Sequence, residues 1–147
     1  MIEPTLRRAT TSDLGWIEAL EHSSFANPWP RRIYEEELVR PGSTLELATL
    51  DGEVVGFSCS WIIVDECHLL RIASDPQRRL RGIGRILLSA VIARAKAASC
   101  ARIVLEVASR NDAAVRLYQR AGFGTAGTRR DYYRIPPDDA LVMMLEL

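Results

Sequence analysis

Asp75-Pro76-Gln77-Arg78-Arg79-Leu80-Arg81-Gly82-Ile83-Gly84-Arg85 joins a strand to a helix near the middle of the chain, and its reading decides the class of fold. Residues 67–74, just before it, read as a strand. After it, Ile83, Ile86, Leu87, Ala90 and Val91 recur at i, i+3, i+4, i+7 and i+8, the wide apolar stripe of a buried helix. Residues 103–107 then form a short apolar strand interrupted by Glu106. A central strand–helix–strand with antiparallel hairpins around it predicts a mixed α/β sheet.

Outward from this unit, the N-terminal side opens with a short strand over residues 6–9. Thr11-Ser12-Asp13 is a helix N-cap cluster, and Leu14, Ile17 and Leu20 follow at helical spacing. Phe25-Ala26-Asn27-Pro28-Trp29-Pro30 breaks that helix. Pro30 opens another, through Ile33, Tyr34, Leu38 and Val39, with Glu35, Glu36 and Glu37 inside it and Pro41-Gly42 at its end. Residues 44–50 alternate, Asp51-Gly52 is a hairpin turn, residues 54–64 are rich in β-branched and aromatic side chains, and Asp65-Glu66 turns again. On the C-terminal side Asn111-Asp112 caps a helix over residues 113–121, with Arg120 in its last turn and Gly122 at C′. Phe123 and residues 140–147 supply two last strands joined by a polar loop. The expected order is β-α-α-β-β-β-α-β-α-β-β.

The chain's 147 residues predict one domain over 1–147, able to bury most of its apolar surface unaided. With 48% hydrophobic and 26% charged residues, the composition excludes disorder, a collagen-like repeat and a disulfide scaffold. The 19 basic and 19 acidic residues cancel, which disfavours a strongly basic nucleic-acid binder. Yet residues 1–70 hold 12 acidic against 5 basic side chains, and residues 71–147 hold 7 against 14. Either this is a solvated surface, or the two halves face a cationic and an anionic partner. All the basic residues but Lys96 are arginine, which binds phosphate bidentately. Cys59, Cys67 and Cys100 form no C-x-x-C pair and read as free thiols of a reducing compartment, Cys59 as a core residue. The start does not read as a signal or transit peptide, and no apolar run reaches membrane-spanning length, so a cytoplasmic setting is expected.

Three features carry chemistry. Glycines at the 79–85 loop let backbone approach a ligand, and the first N–H groups of the following helix lack internal partners, which makes an anion site. Arg78, Arg79, Arg81 and Arg85 add positive charge; the plainer reading is a glycine-rich turn with solvated arginines. A Walker A loop would need Gly-Lys-Ser/Thr, and a dinucleotide fingerprint would need a small residue where Leu87 stands. A pyrophosphate is the expected ligand. Glu106 sits among β-branched residues, where desolvation lifts a carboxyl from about 4.3 toward neutrality and makes it a base; alternatively it is an edge-strand glutamate facing water. Tyr118 lies seven residues after Asn111, on the helix face of Ala114 and Leu117; by spacing alone it is a half-buried core tyrosine. His22 and His68 are the only histidines, so neither Cys–His catalysis nor a metal site has support.

Together these blocks resemble the GNAT superfamily of acetyl-CoA-dependent N-acetyltransferases over nearly the whole chain. Arg79-Leu80-Arg81-Gly82-Ile83-Gly84 is similar to its Arg/Gln-x-x-Gly-x-Gly/Ala pyrophosphate motif, Ile72-Ala73-Ser74-Asp75-Pro76 to its cofactor-pairing strand, and Asn111-x-Ala113-Ala114-x-x-Leu117-Tyr118-x-x-x-Gly122-Phe123 to a second block. Phe25-x-x-Pro28-Trp29, Leu105-Glu106-Val107, Arg130-x-Tyr132-Tyr133, Asp139-Ala140 and Met143-Met144 resemble the branch that acetylates the N-terminal alanine of ribosomal proteins. The resemblance implies a mostly antiparallel central sheet with one splayed parallel pair, flanked by about four helices. It implies Glu106 as general base and Tyr118 as general acid, with direct attack of the amine in a ternary complex. It implies acetyl-CoA bound by Ile72, Ala73, Ser74, Arg79, Leu80, Arg81, Gly82, Ile83, Gly84, Arg85 and Asn111, and no metal. Phe25, Trp29, Tyr132 and Tyr133 would hold a ribosomal protein N-terminal peptide, with Glu35, Glu36 and Glu37 beside it. Neither nucleic acid nor membrane is an expected partner. Ala108 and Arg110 depart from the usual Leu-Glu-Val-Arg-x-Ser-Asn, which leaves peptide specificity open. Two other readings also stay open: a GNAT enzyme for another N-terminus or a small amine, and a non-catalytic acyl-CoA-binding module.

Overall fold

In the computed structural model, residues 3–147 are described, with the side chains of Arg79, Leu80 and Arg81 excepted. A hairpin forms where the sequence turns at Asp51-Gly52, joining β2 (Ser43–Leu50) to β3 (Glu53–Ile63). Both turn residues have positive φ, 53° and 80°, as a tight turn between right-twisted strands requires. β1 (Thr5–Arg8) pairs with the far edge of β2, and β4 (Glu66–Ser74) with β3, all antiparallel. The glycine-containing connection then leads into α3 (Ile83–Ala97) and on to β5 (Arg102–Ala108), which lies parallel to β4. β6 (Gly124–Arg134) and β7 (Pro137–Glu146) form the closing hairpin, and the sheet order is β1-β2-β3-β4-β5-β7-β6. α1 (Leu14–Ser24), α2 (Arg31–Val39) and α4 (Asp112–Arg120) complete the expected order of elements.

Helices cover both faces of the sheet. α1 and α2 bury Leu14, Ile17, Leu20 and Tyr34 against Leu45, Leu47, Phe57 and Cys59. On the other face α3 buries Ile83 and Leu87 against Ala48, Leu50 and Val55, and Leu88, Val91 and Ala95 beside Leu69, Ile103 and Leu105. Gly56 permits the close seat of α3: a Cβ there would lie 2.7 Å from Ile83 Cγ2 and 2.8 Å from the Ala73 carbonyl oxygen. Cys59, Cys67 and Cys100 are buried and free, and burial pushes the Cys59 and Cys67 thiols up to about 12 and about 11. No described helix is long and apolar enough to cross a membrane.

The parallel pair is brief. β4 and β5 pair only over Glu66–Leu69 and Arg102–Leu105. Beyond Leu69 and Leu105 the two strands have no mutual ladder, while β5 stays paired to β7 along its whole length. The sheet therefore opens between Leu70 and Glu106, and this opening positions the site described below.

Two expectations need correction. The polar loop expected after Phe123 is mostly strand β6. β6 is an edge strand with no buried residue, so it shows no apolar alternation; its ladder with β7 defines it. The charge asymmetry, in turn, is partly met by pairing between the two halves. Among the described residues, four ion pairs join acids of the first half to arginines of the second: Glu21–Arg71 at 2.9 Å, Glu46–Arg94 at 3.0 Å, Glu53–Arg78 at 2.6 Å and Glu66–Arg102 at 3.4 Å.

At the start of α1, Asp13 is buried and accepts from both Arg7 Nη atoms at 2.8 Å and from the Thr10 N–H at 2.8 Å. The Arg7 hydrogen bonds, against the opposing effect of burial, hold its carboxyl at about 2, below the ordinary 3.8. A lowered native value adds stability that is complete above the ordinary value and disappears as the pH falls through the native one. Urea melts of wild type and Asp13→Asn are expected to differ by about 1–3 kcal/mol near neutrality. The two should converge as the pH falls from about 4 to about 2; a constant difference would refute the assignment.

Candidate active site

A cavity of about 380 Å³ fills the opening between β4 and β5. Leu69–Ile72 and Glu106–Ala108 form its two strand walls, and Asn111, Ala114 and Tyr118 of α4 and its cap close one side. Ser24 at the end of α1 and residues 25–27 after it form another wall, and Tyr133, Ile135, Pro136 and Asp138 of the β6–β7 hairpin roof it.

Glu106 is the first residue of β5 past the β4 ladder, so its side chain faces the opening. It is not an edge-strand residue, since β7 pairs with it through Val142. Nor is it desolvated as the sequence suggested. Its side chain is 34% exposed, and Oε1 accepts from Arg129 Nη1 at 2.9 Å across β7. The splay admits solvent, which periodicity within one strand cannot reveal.

Tyr118 stands on α4, whose first turn is capped by Asn111 Oδ1 accepting from the Ala114 N–H at 3.3 Å. It is 6% exposed, more buried than its spacing suggested, and its ring packs 5.7 Å from Phe123. Burial, with Tyr133 nearby, pushes the phenol above its ordinary value. The phenol is therefore neutral at physiological pH and able to donate. A carboxylate and a protonated phenol thus line one cavity, the pair needed to take a proton from one reactant and give one to another.

The remaining expected residues divide. Ile72, Phe25, Asn111 and Tyr133 line the cavity with Glu106 and Tyr118, as do Ala108 and Arg110, the two departures from the family pattern. Trp29 does not: its ring packs 5.6 Å from Tyr34, and its backbone N–H donates to Glu21. Tyr132 lies outside, 48% exposed and edge-on to Tyr133. Ala73 is buried in the core beneath α1 and α2, and Ser74 ends β4; neither lines the cavity. Gly82 precedes α3 with φ 69°, the left-handed conformation that favours glycine, while the Ile83 side chain is core. Gly84 approaches Leu117 of α4, Arg85 is exposed, and Arg78 turns to Glu53. The side-chain roles expected for Arg79, Leu80 and Arg81 lie outside the described residues.

The acidic run does not flank the cavity. Glu35 and Glu36 pair with Arg31 and Arg32 one turn earlier. Glu37 is buried and accepts from Ser43 Oγ and Trp61 Nε1, each at 2.7 Å. Sequence reasoning also missed several residues of the site. Asp138 accepts from the Ser109 hydroxyl and from the Arg110 N–H at 2.9 Å, and so holds the loop between β5 and α4. Those bonds, Ser109's foremost, keep its carboxyl below the usual range. Arg71, Asn27 and Arg129 carried no motif. Glu21 did carry a signal, because an acid four residues after Ile17 falls on the apolar stripe of α1.

Comparison with known proteins places these features in a family. The family model described as acetyltransferase (GNAT) family matches residues 13–123. The ribosomal protein bS18-alanine N-acetyltransferase of Escherichia coli (strain K12) is 31% identical over 145 residues, covering 97% of this chain and 97% of that protein. N-alpha-acetyltransferase RimI of Mycobacterium tuberculosis is 33% identical over 145 residues, covering 95% of this chain and 90% of that one. The crystal structure of the ribosomal-protein-S18-alanine N-acetyltransferase from Escherichia coli matches with a TM-score of 0.90 at 30% identity, over 97% of this chain and 93% of that chain.

Proposed function

The chain belongs to the acetyltransferase (GNAT) family, and from that membership we propose that it transfers the acetyl group of acetyl-CoA to the N-terminal α-amine of a protein, the N-terminal alanine of a ribosomal protein. The observation that carries this reading is a cavity in the β4–β5 opening, with Glu106 on one strand wall and Tyr118 on the helical wall. Relatives over 30% identical along almost the whole chain, named for alanine acetylation, support the acceptor.

Acetyl-CoA fits the residues present. Past Leu69 the β5-facing edge of β4 has no strand partner, so Ile72, Ala73 and Ser74 can pair with an extended amide-bearing chain. That edge leads to the start of α3 after Gly82, where helix N–H groups suit a pyrophosphate. Gly82, Ile83, Gly84 and Arg85, with Arg79, Leu80 and Arg81, are assigned there, and Asn111 lines the cavity between the two ends. When bound, the coenzyme supplies the acetyl group as an activated thioester. A protein α-ammonium has a pKa near 8 and must lose a proton before attack. Glu106 takes that proton, directly or through water. A β4 backbone N–H near Ile72 stabilises the developing oxyanion, Tyr118 donates to the departing sulfur, and the second proton shed by the attacking nitrogen as the amide forms restores the phenol. Phe25 and Tyr133 contact the acceptor. Trp29 supports that wall from beneath, and Tyr132 supports Tyr133 from outside.

The test is incubation with acetyl-CoA and peptides differing only in the first residue, read by mass. A gain of one acetyl group at the α-amine, strongest for alanine, is expected. Acetylation of lysine side chains, or of no peptide, would overturn the assignment.

A further inference from the structure

We propose that Arg71, clasped by Glu21, is a positioning residue that holds the acceptor wall in place and so sets acceptor affinity; this rests on the reading of the cavity as an acetyl-transfer site. Residues 26–29, between α1 and α2, have no helix or strand hydrogen bonding to fix them. Side chains of one cluster do so instead. Glu21 is fully buried, and its two oxygens accept from the Tyr34 hydroxyl, the Trp29 N–H at 2.8 Å, Arg71 Nε at 2.9 Å and Arg71 Nη2 at 3.1 Å. Arg71 lies on β4 two residues past the end of the β5 ladder and lines the cavity, 17% exposed.

The guanidinium is shared between the clasp and the wall. Nη2 also donates to the Asn27 carbonyl at 3.2 Å, and the guanidinium carbon lies 3.8 Å from the Phe25 ring centroid and 4.5 Å from that of Trp29. Phe25, Asn27 and Trp29 are therefore each tied to the Glu21–Arg71 pair. Asn27 Nδ2 in turn donates to the Ile135 carbonyl, which joins this wall to the hairpin roof. A planar fork can serve a carboxylate, a carbonyl and two aromatic faces at once; a lysine ammonium keeps the charge but loses this geometry.

Arg71→Lys and Arg71→Met test the role. Losing charge-assisted bonds of this kind is worth on the order of tenfold or more. Both variants are expected to raise the KM for an alanine-starting peptide by about that factor. The loss should fall on KM more than on kcat, and coenzyme A affinity by calorimetry should stay within about twofold. A merely structural role would instead lower coenzyme A binding and melting temperature together with activity, and that result overturns the proposal. So does an unchanged peptide KM, or full rescue by lysine. Chymotryptic cleavage after Phe25 gives a readout independent of catalysis. Faster cleavage in Arg71→Lys, without loss of melting temperature, supports the clasp even if wild type acetylates no peptide, an outcome that would sink the functional reading alone. Unchanged cleavage counts against the clasp.

Discussion

Tyr118→Phe is expected to lower kcat by about 10²–10⁴-fold, the usual contribution of one positioned acid or base. The change removes a single oxygen from a ring that is 6% exposed and packed on Phe123, so the fold should persist and coenzyme A affinity should hold. Burial raises the phenol above its ordinary value near 10, which makes it a weak acid that stays protonated. In the proposed mechanism it gives its proton only as negative charge gathers on the departing sulfur. The sign of the pH effect follows. A raised value moves phenol ionisation to higher pH, so wild type should show no alkaline decline assignable to Tyr118 up to about pH 10. An unchanged kcat in the variant, measured at saturating peptide and coenzyme, would falsify the acid role.

Glu106→Gln is expected to reduce kcat/KM by a similar ~10²–10⁴-fold near neutrality. The glutamine keeps the side chain's shape beside Arg129 but cannot accept the ammonium proton. The deficit should depend on pH. Below about 8 the acceptor amine is mostly protonated and needs a base; above it, the amine loses its proton to solvent unaided. The gap between variant and wild type should therefore narrow as the pH rises from about 7 toward 10. Identical pH–rate profiles for the two proteins would remove the base assignment. So would a deficit that grows with pH.

Much of the fold was legible because its signals are local. The apolar stripe of α3, the Asp51-Gly52 turn, the Asn111 cap and the Gly122 stop each act within a few residues, and the element order follows from them. β6 was missed because an edge strand with polar side chains on both faces has no alternation to read. At the site, Glu106, Tyr118, Asn111 and Ile72 could be named from motifs, and all four line the cavity. Trp29 could be named but not placed. Its aromatic character suited a groove, whereas Tyr34, Arg71 and Glu21 draw it into the packed layer beneath.

The sequence by itself determined the helices, the hairpin turn, the mixed sheet and the family, since each depends on residue spacing along one segment. Tertiary structure alone decided where β4 and β5 part, which exposes Glu106 rather than drying it. It also decided the meaning of the opposed charges in the two halves. Glu21 and Arg71 are fifty residues apart, and only folding brings them to 2.9 Å. Pairing across such distances depends on which chain segments meet, and no periodicity within either segment records it.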